Sequence, residues 1–104
     1  MAARFFDIDG TLVEYHTNNW LLGARKMLIT QYNNGNQIFL ITMRCHKRDA
    51  DKEWSPERTR QTILKDLDED GVKYVVMFDV QSPRVIVDDS ESHSIKRSTN
   101  EPWS

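Results

Sequence analysis

Residues 3–12 read ARFFDIDGTL, and this stretch decides the fold of the chain. Its first six residues favour a β-strand, and the Asp-Gly-Thr at 9–11 favours a tight turn. We therefore expect a strand over residues 3–8 and a sharp bend directly after it. Asp7 and Asp9 flank one residue, so an extended chain directs both carboxylates to the same face, a few ångström apart. Such a pair repels itself unless a cation lies between the two carboxylates, so this strand end is a candidate site.

The first half of the chain continues with a helix and a second strand. Apolar residues recur at helical spacing after the Thr-Asn-Asn at 17–19, which are good helix caps, and this predicts a helix over about residues 19–33. Asn34 and Gly35 predict its end. Residues 37–42, QIFLIT, are nearly continuously apolar, which is typical of a strand buried on both faces.

The second half repeats this alternation. After a charged loop at 44–53, Ser55 is a natural N-cap with Pro at the first helical position, and Gly71 ends the predicted second helix. Residues 74–78 and 84–88 are two further β-prone runs. The polar tail that follows them is expected to be weakly structured.

This order of elements predicts an α/β fold, a Rossmann-like three-layer α/β/α sandwich around a mostly parallel sheet with right-handed crossovers. The chain has 104 residues, which is the size of one domain, and we expect a single domain over residues 1–104. With 14 Lys plus Arg against 16 Asp plus Glu, the formal net charge is −2. General electrostatic affinity for nucleic acid or anionic lipid is therefore not expected.

Cysteine content and hydropathy bear on location. The one cysteine, Cys45, excludes an intrachain disulfide and favours a reducing compartment. Acidic residues come too early for a signal peptide, and no apolar run reaches the length of a membrane span. We expect a cytoplasmic protein that does not contact a membrane.

Polar residues follow three of the predicted strands, at the edge where ligands bind in such sheets. These segments are residues 7–11, 42–44 and 88–89. Mg²⁺ prefers oxygen ligands, so the carboxylates predict a magnesium site formed by Asp7, Asp9, Asp88 and Asp89. The bend at Gly10 is expected to expose backbone N–H groups, and Thr11 and Thr42 add hydroxyl donors, so the same edge could hold a phosphate.

Residues 6–12, FDIDGTL, closely resemble the first motif of the haloacid dehalogenase superfamily of phosphatases. The order of later segments agrees with the family. LIT at 40–42 resembles the second motif, a strand ending in Thr or Ser, and VIVDD at 85–89 resembles the fourth, a strand ending in paired acids. The resemblance spans residues 5–89.

The resemblance implies a covalent route through an aspartyl-phosphate. Asp7 would be the nucleophile, and Asp9 would protonate the leaving alcohol and then deprotonate the attacking water. Thr42 would hydrogen-bond the phosphate. Asp7, Asp88 and the Asp9 carbonyl would hold Mg²⁺, with Asp89 holding a metal-bound water or orienting Asp88. An acid at position 9 favours phosphatases within the family, because its dehalogenases lack that acid.

The third motif departs from the usual family pattern. Many relatives carry a Lys a few residues before the final acid pair, whereas residues 78–84 read FDVQSPR. Arg84 resembles the Pro-Arg of some small relatives, Lys73 is a rival on chain geometry, and Arg44 lies in a basic loop that could equally be a solvated surface. The predicted phosphate-binding residues are Gly10, Thr11, Thr42, Met43, Arg44 and Arg84.

The short spacing between motifs bears on the substrate. Relatives that act on small metabolites usually carry a cap domain inserted after the first motif or between the second and third motifs. Here about 30 residues separate Thr11 from Thr42, and the interval from there to Arg84 holds one loop, one helix and one strand. The resemblance therefore implies a member without a cap domain. An open site suits large or exposed phosphates, such as nucleic-acid ends, nucleotides or phosphoproteins. The expected function is that of a Mg²⁺-dependent phosphomonoesterase, as a monomer or small homo-oligomer. The alternative is a catalytically weak phosphate-recognition or phosphoprotein-binding module on the same fold.

Overall fold

A computed structural model describes residues 1–43 and 63–104. Its elements in chain order are β1 (Ala3–Asp7), α1 (Ala24–Asn33), β2 (Gln37–Ile41), α2 (Lys65–Glu69) and β3 (Tyr74–Met77). The strands form one sheet in the order β1-β2-β3, and both neighbouring pairs are parallel. The protein is therefore an α/β protein with a small parallel sheet, as the sequence predicts at this level.

The register aligns the carboxyl ends of the strands. Asp7 lies beside Ile41, and Ile41 lies beside Met77. Because all three strands run in the same direction, the segments that follow these residues leave from the same edge of the sheet, the carboxyl edge.

The hydrophobic core lies on one face of the sheet. Leu40 in β2 is buried together with Leu28 of α1 and Leu67 of α2, and Phe6 and Val76 pack against this cluster. Alternation along the strands sends Phe5 and Phe39 to the opposite face, where their rings stack at 4.7 Å. The described helices therefore contribute to the core on the Leu40 face.

Helix α1 begins at Ala24 instead of near residue 19. Residues 13–20 form a narrow hairpin, in which Val13 bridges Trp20 in antiparallel fashion. Thr17 makes turn hydrogen bonds to the Glu14 carbonyl, so the Thr-Asn-Asn run closes this hairpin instead of capping the helix. Thr and Asn satisfy turns and helix ends by the same side-chain chemistry, and here the turn prevails.

The predicted ends of both helices are confirmed. Helix α1 stops before Gly35, which has φ +89°, and α2 stops before Gly71, which has φ +74°. A positive φ costs glycine little, and this explains the position of these stops. The predicted start of the second helix at Ser55 lies outside the described residues, as do Arg44, Cys45 and Trp54.

The predicted strand over residues 84–88 is wrong. The structure has no strand there, and the apolar side chains of Val85, Ile86 and Val87 are exposed. Arg84 already lies at the carboxyl edge, in contact with Asp7. A parallel strand over these residues would have to start at the opposite edge, about 13 Å away at 3.3 Å per residue, so a chain that holds Arg84 at the carboxyl edge cannot add residues 84–88 as a parallel strand.

The tail is more ordered than the sequence suggests. It contains no helix or strand, but Trp103 packs against the core cluster and its ring meets that of Phe6 edge to face at 6.2 Å. No helix within residues 1–43 and 63–104 is both long and apolar enough to cross a lipid bilayer.

Candidate active site

Asp7 at the end of β1 is the centre of the candidate site. Its Oδ1 accepts a hydrogen bond from Arg84 Nη1 at 3.0 Å, and its Oδ2 accepts one from the Thr11 hydroxyl at 3.3 Å. The Asp7 side chain is 31 % exposed and that of Arg84 is 25 % exposed. The structure thus brings a half-buried carboxylate, a guanidinium and a hydroxyl together at the carboxyl edge.

The loop after β3 delivers Arg84 to this place. The chain leaves β3 at Met77, and the Val80 N–H donates to the Thr42 carbonyl at 2.8 Å. Arg84 then donates from Nε to the Gln81 carbonyl and from Nη2 to the Val80 carbonyl. Two of the guanidinium nitrogens are therefore fixed by backbone oxygens, so the third is directed at Asp7.

Burial has the largest effect on the pKa of the Asp7 carboxyl. It raises the pKa of the Asp7 carboxyl above its ordinary value, and the Arg84 and Thr11 hydrogen bonds oppose this effect, while the nearby charge of Asp9 adds to it. The site therefore combines a partly dehydrated carboxylate with a guanidinium, so that positive charge lies directly beside a group with nucleophilic oxygens.

The turn after Asp7 directs its backbone donors inward. The Ile8 carbonyl accepts from the N–H groups of Thr11, Leu12 and Val13, and the Gly10 N–H donates to the Val13 carbonyl. The expectation that this bend exposes donors for a phosphate is therefore wrong for these four amides. Gly10 is needed for another reason, since its φ is +82° and a Cβ there would lie 3.2 Å from the Thr99 methyl group.

The second predicted segment lies at the same edge. Thr42 follows β2 and is fully buried, and its N–H donates to the Met77 carbonyl, so its backbone joins β2 to β3. Met43 next to it is exposed. Thr42 is thus placed to support the edge, and its predicted hydrogen bond to phosphate stays a prediction.

Lys73 does not lie near Asp7. It precedes β3, which runs parallel to β2, so it lies at the opposite edge of the sheet. The separation along the strand from Lys73 to Met77 is about 13 Å. Chain geometry favoured Lys73 only if β3 paired antiparallel to residues 84–88, and that pairing does not occur. The structure places Arg84 beside Asp7 instead.

The predicted metal ligands are not brought together. Asp88 and Asp89 are exposed, and the Asp88 carboxylate accepts the Ser90 N–H at 2.9 Å. In the part of the chain that the structure describes, no three His, Cys, Asp or Glu side chains form a group that could hold a metal ion. Asp7 pairs with the Arg84 guanidinium at the place where Mg²⁺ is predicted. As arranged, these residues therefore do not fit a site in which three or more carboxylates bind a metal ion.

Sequence reasoning missed the tail. The Asn100 N–H donates to the Gly10 carbonyl at 2.8 Å, and the Trp103 indole N–H donates to the Thr11 carbonyl at 2.7 Å. The signal that could have found this contact is a tryptophan in an otherwise polar segment, because such a large apolar ring usually packs against other apolar groups.

Comparison with known proteins adds no relative to this description. No family model, no curated protein and no solved structure matches the chain.

Proposed function

We propose that the protein is a phosphomonoesterase that works through an aspartyl-phosphate on Asp7. The observation that carries the proposal is the contact between Arg84 and Asp7 at the carboxyl edge of a parallel sheet. Ligands of such sheets bind at this edge, and Arg is the side chain best suited to bind phosphate oxygens in a planar, bidentate manner. The FDIDGTL motif supplies the second line of support.

The reaction proceeds in two balanced steps. An Asp7 carboxylate oxygen bonds to phosphorus as the bond from phosphorus to the ester oxygen breaks, and Asp9 gives its proton to the departing alcohol. Water then attacks the phosphorus of the aspartyl-phosphate. Asp9 takes a proton from that water, and the acyl phosphate bond breaks to release orthophosphate and the Asp7 carboxylate.

Arg84 lowers the repulsion between the nucleophile and the substrate. A carboxylate and a phosphate are both anions, so their approach requires positive charge at the same place. A guanidinium that contacts Asp7 at 3.0 Å can also reach oxygens on a phosphorus about to bond to that carboxylate. Binding of Mg²⁺ by Asp7, Asp9, Asp88 and Asp89 stays a prediction from the resemblance, and neither step above depends on it.

We extend the proposal to fold and substrate. A three-layer sandwich of the haloacid dehalogenase type would place a further helical layer on the Phe5 and Phe39 face of the sheet. The half-exposed Asp7 and the short intervals between motifs favour a capless domain acting on a large or exposed phosphate, such as a nucleic-acid end, a nucleotide or a phosphoprotein.

The phosphate-recognition module is the second candidate. It is favoured by the carboxylates of the described residues, which form no group that could hold a metal ion. A module would bind orthophosphate or beryllium fluoride without turnover.

Steady-state release of orthophosphate from an activated aryl phosphate separates the two candidates. We expect turnover by the wild type and a loss of about 10²-fold or more in rate for Arg84→Ala, together with weaker inhibition by orthophosphate. Lys73→Ala is the matched control, because it removes a positive charge at the opposite edge, and it should behave as wild type. A wild type that binds orthophosphate but releases none from the ester would show a module, and an active Arg84→Ala would refute the role of Arg84.

A further inference from the structure

We propose that residues 97–103 form a clamp that positions the loop at 8–13, so that Trp103 acts as a positioning residue for the acid Asp9. This inference rests on the proposed function. It concerns a segment that lies nearly ninety residues away in sequence from the loop that it contacts.

The clamp holds the backbone directly after Asp9. The Asn100 N–H donates to the Gly10 carbonyl at 2.8 Å, and the Trp103 indole N–H donates to the Thr11 carbonyl at 2.7 Å. The Leu12 N–H donates to the Ile8 carbonyl at 2.9 Å. The peptide group between Thr11 and Leu12 is therefore fixed at both its oxygen and its hydrogen, and it cannot rotate without breaking a hydrogen bond.

Further contacts hold the clamp against the same region. The Asn100 side-chain oxygen accepts the Tyr15 N–H at 2.7 Å, and the Trp103 backbone N–H donates to the Leu22 carbonyl at 2.7 Å. The clamp thus spans the loop and the hairpin that follows it. The clamp lies close to the loop at Gly10, where an added Cβ would be 3.2 Å from the Thr99 methyl group.

The clamp is organised by its own side chains. The Arg97 guanidinium lies 3.5 Å from the centre of the Trp103 ring and donates from Nη2 to the carbonyls of Glu101 and Pro102. Its Nη1 also pairs with the Glu101 carboxylate at 3.2 Å. A cation stacked on an indole and bonded to the adjacent turn fixes the ring, and so fixes the direction of the indole N–H.

The expected consequence falls on the leaving group. If the loop loosens, Asp9 is held less accurately while Asp7 remains in β1, and a misplaced acid matters most when the departing alkoxide is a strong base. A poor alkyl leaving group needs the proton from Asp9, whereas an activated aryl leaving group does not. Asp9 also takes a proton from water in the second step, which is identical for both substrates, so the comparison applies to the first step, release of the alcohol.

The test uses a pair of matched variants. Trp103→Phe keeps an aromatic ring against Phe6 and Arg97 but removes the indole donor. Trp20→Phe is the control, because the Trp20 indole also donates one 2.7 Å hydrogen bond, to Asp66 of α2, while its bridge to Val13 of the loop is made by the backbone and is kept in the variant. The rate of alcohol release in a single turnover is measured for an alkyl phosphate and an activated aryl phosphate, with both variants and the wild type, so that hydrolysis of the aspartyl-phosphate does not enter the comparison.

We expect Trp103→Phe to lower the single-turnover rate of alcohol release by about tenfold for the alkyl phosphate and by less than about twofold for the aryl phosphate, since general acid catalysis contributes about 10² to 10⁴ and is only partly lost. Trp20→Phe should leave the ratio of the two rates unchanged. Amide exchange of Leu12 should be about threefold to tenfold faster in Trp103→Phe, because opening of the loop becomes easier by one hydrogen bond, and unchanged in Trp20→Phe.

Equal losses on both substrates would show a general effect on folding and would overturn the clamp, as would unchanged exchange at Leu12. Asp9→Asn provides the reference for a lost acid and should show the same preference for aryl leaving groups in stronger form. A wild type inactive on both esters would instead refute the proposed function, and the positioning role with it, so the two failures give different results.

Discussion

Asp7 is subject to two opposing effects at the level of the single residue. Burial at the end of β1 raises the pKa of its carboxyl, while Arg84 and Thr11 hold the ionised form in place. The sequence predicts the position and pairing of Asp7 and Asp9, because two residues apart in a strand means one face. It leaves open which basic residue, Arg84, Lys73 or Arg44, lies beside them, because the path of residues 78–84 depends on turns and not on periodicity.

The first prediction concerns the stability cost of ionised Asp7. Because the pKa of Asp7 is higher in the folded than in the unfolded state, its carboxyl contributes stability that is fully present below the unfolded pKa. That contribution is lost as pH rises through the folded pKa and the group ionises. At pH 7 the ionised carboxylate therefore costs stability, so Asp7→Asn should raise the free energy of unfolding by about 0.5–1 kcal/mol, a modest figure because the group is partly solvated.

Urea unfolding of wild type and Asp7→Asn at several pH values measures this effect. The advantage of the variant should shrink as pH falls through the raised pKa of Asp7. A variant less stable than the wild type at pH 7 would contradict the prediction, because it would mean that the partner Arg84 contributes more to stability than burial of the carboxylate costs.

At the level of elements, local sequence signals determine strands and helix ends better than helix starts. The apolar runs at β1, β2 and β3 are recognised because each is flanked by turn residues and each finds a parallel partner. The run at residues 84–88 is similarly apolar, but it begins at the carboxyl edge, where Arg84 contacts Asp7, so it does not continue the sheet as a parallel strand. Whether such a run forms a strand depends on its pairing with the sheet, and the composition of the run does not determine that pairing.

An ion pair between the two helices gives the second prediction. Arg25 in α1 donates from Nε and Nη2 to the two carboxylate oxygens of Asp70, at 2.6 and 2.8 Å. The hydrogen bonds from Arg25 lower the pKa of the Asp70 carboxyl, and they raise the pKa of the guanidinium. The pair joins the start of α1 to the end of α2, so it contributes to the packing of both helices.

Asp70→Asn should lower the free energy of unfolding at pH 7 by about 0.5–1 kcal/mol, the range for a bidentate pair that is partly exposed. A folded pKa below the unfolded value gives stability above the unfolded pKa that is lost as pH falls through the folded pKa. The difference between the variant and wild type should therefore vanish in acid. Glu91→Gln, which removes an exposed carboxylate in the tail, is the control in thermal unfolding from about pH 7 down to about pH 3, and an equal effect of both variants would contradict a specific pair.

At the level of the whole molecule, the last residues of the tail contact the loop after the first strand. The clamp at 97–103 returns to the loop after β1, and the contact joins two distant parts of the sequence. Periodicity and capping describe neighbours along the chain, so they predict the sheet and its carboxyl edge but not this return. For the same reason the sequence ranks Arg84 but does not place it, and it predicts the acid pair at 88–89 at the end of a strand that does not form.

The third prediction concerns the metal. The resemblance predicts that a chelator removes phosphatase activity and that Mg²⁺ restores it, while Ca²⁺ binds and inhibits because it accepts a higher and looser coordination. Asp88→Asn should then require more Mg²⁺ for half-maximal rate, with Glu91→Gln as an exposed control. Full activity in excess chelator would contradict the predicted Mg²⁺ site.

The most direct test of nucleophilic catalysis by Asp7 is the covalent intermediate itself. Wild type and Asp7→Asn are mixed with an activated aryl phosphate, quenched in acid during turnover, digested and examined by mass spectrometry. We predict a phosphoryl group on Asp7 of the wild type that hydroxylamine removes, none in Asp7→Asn, and a loss of several orders of magnitude in the rate of that variant. Turnover by the wild type with no modified Asp7, or more than about a tenth of the rate retained by Asp7→Asn, would contradict nucleophilic catalysis by this residue.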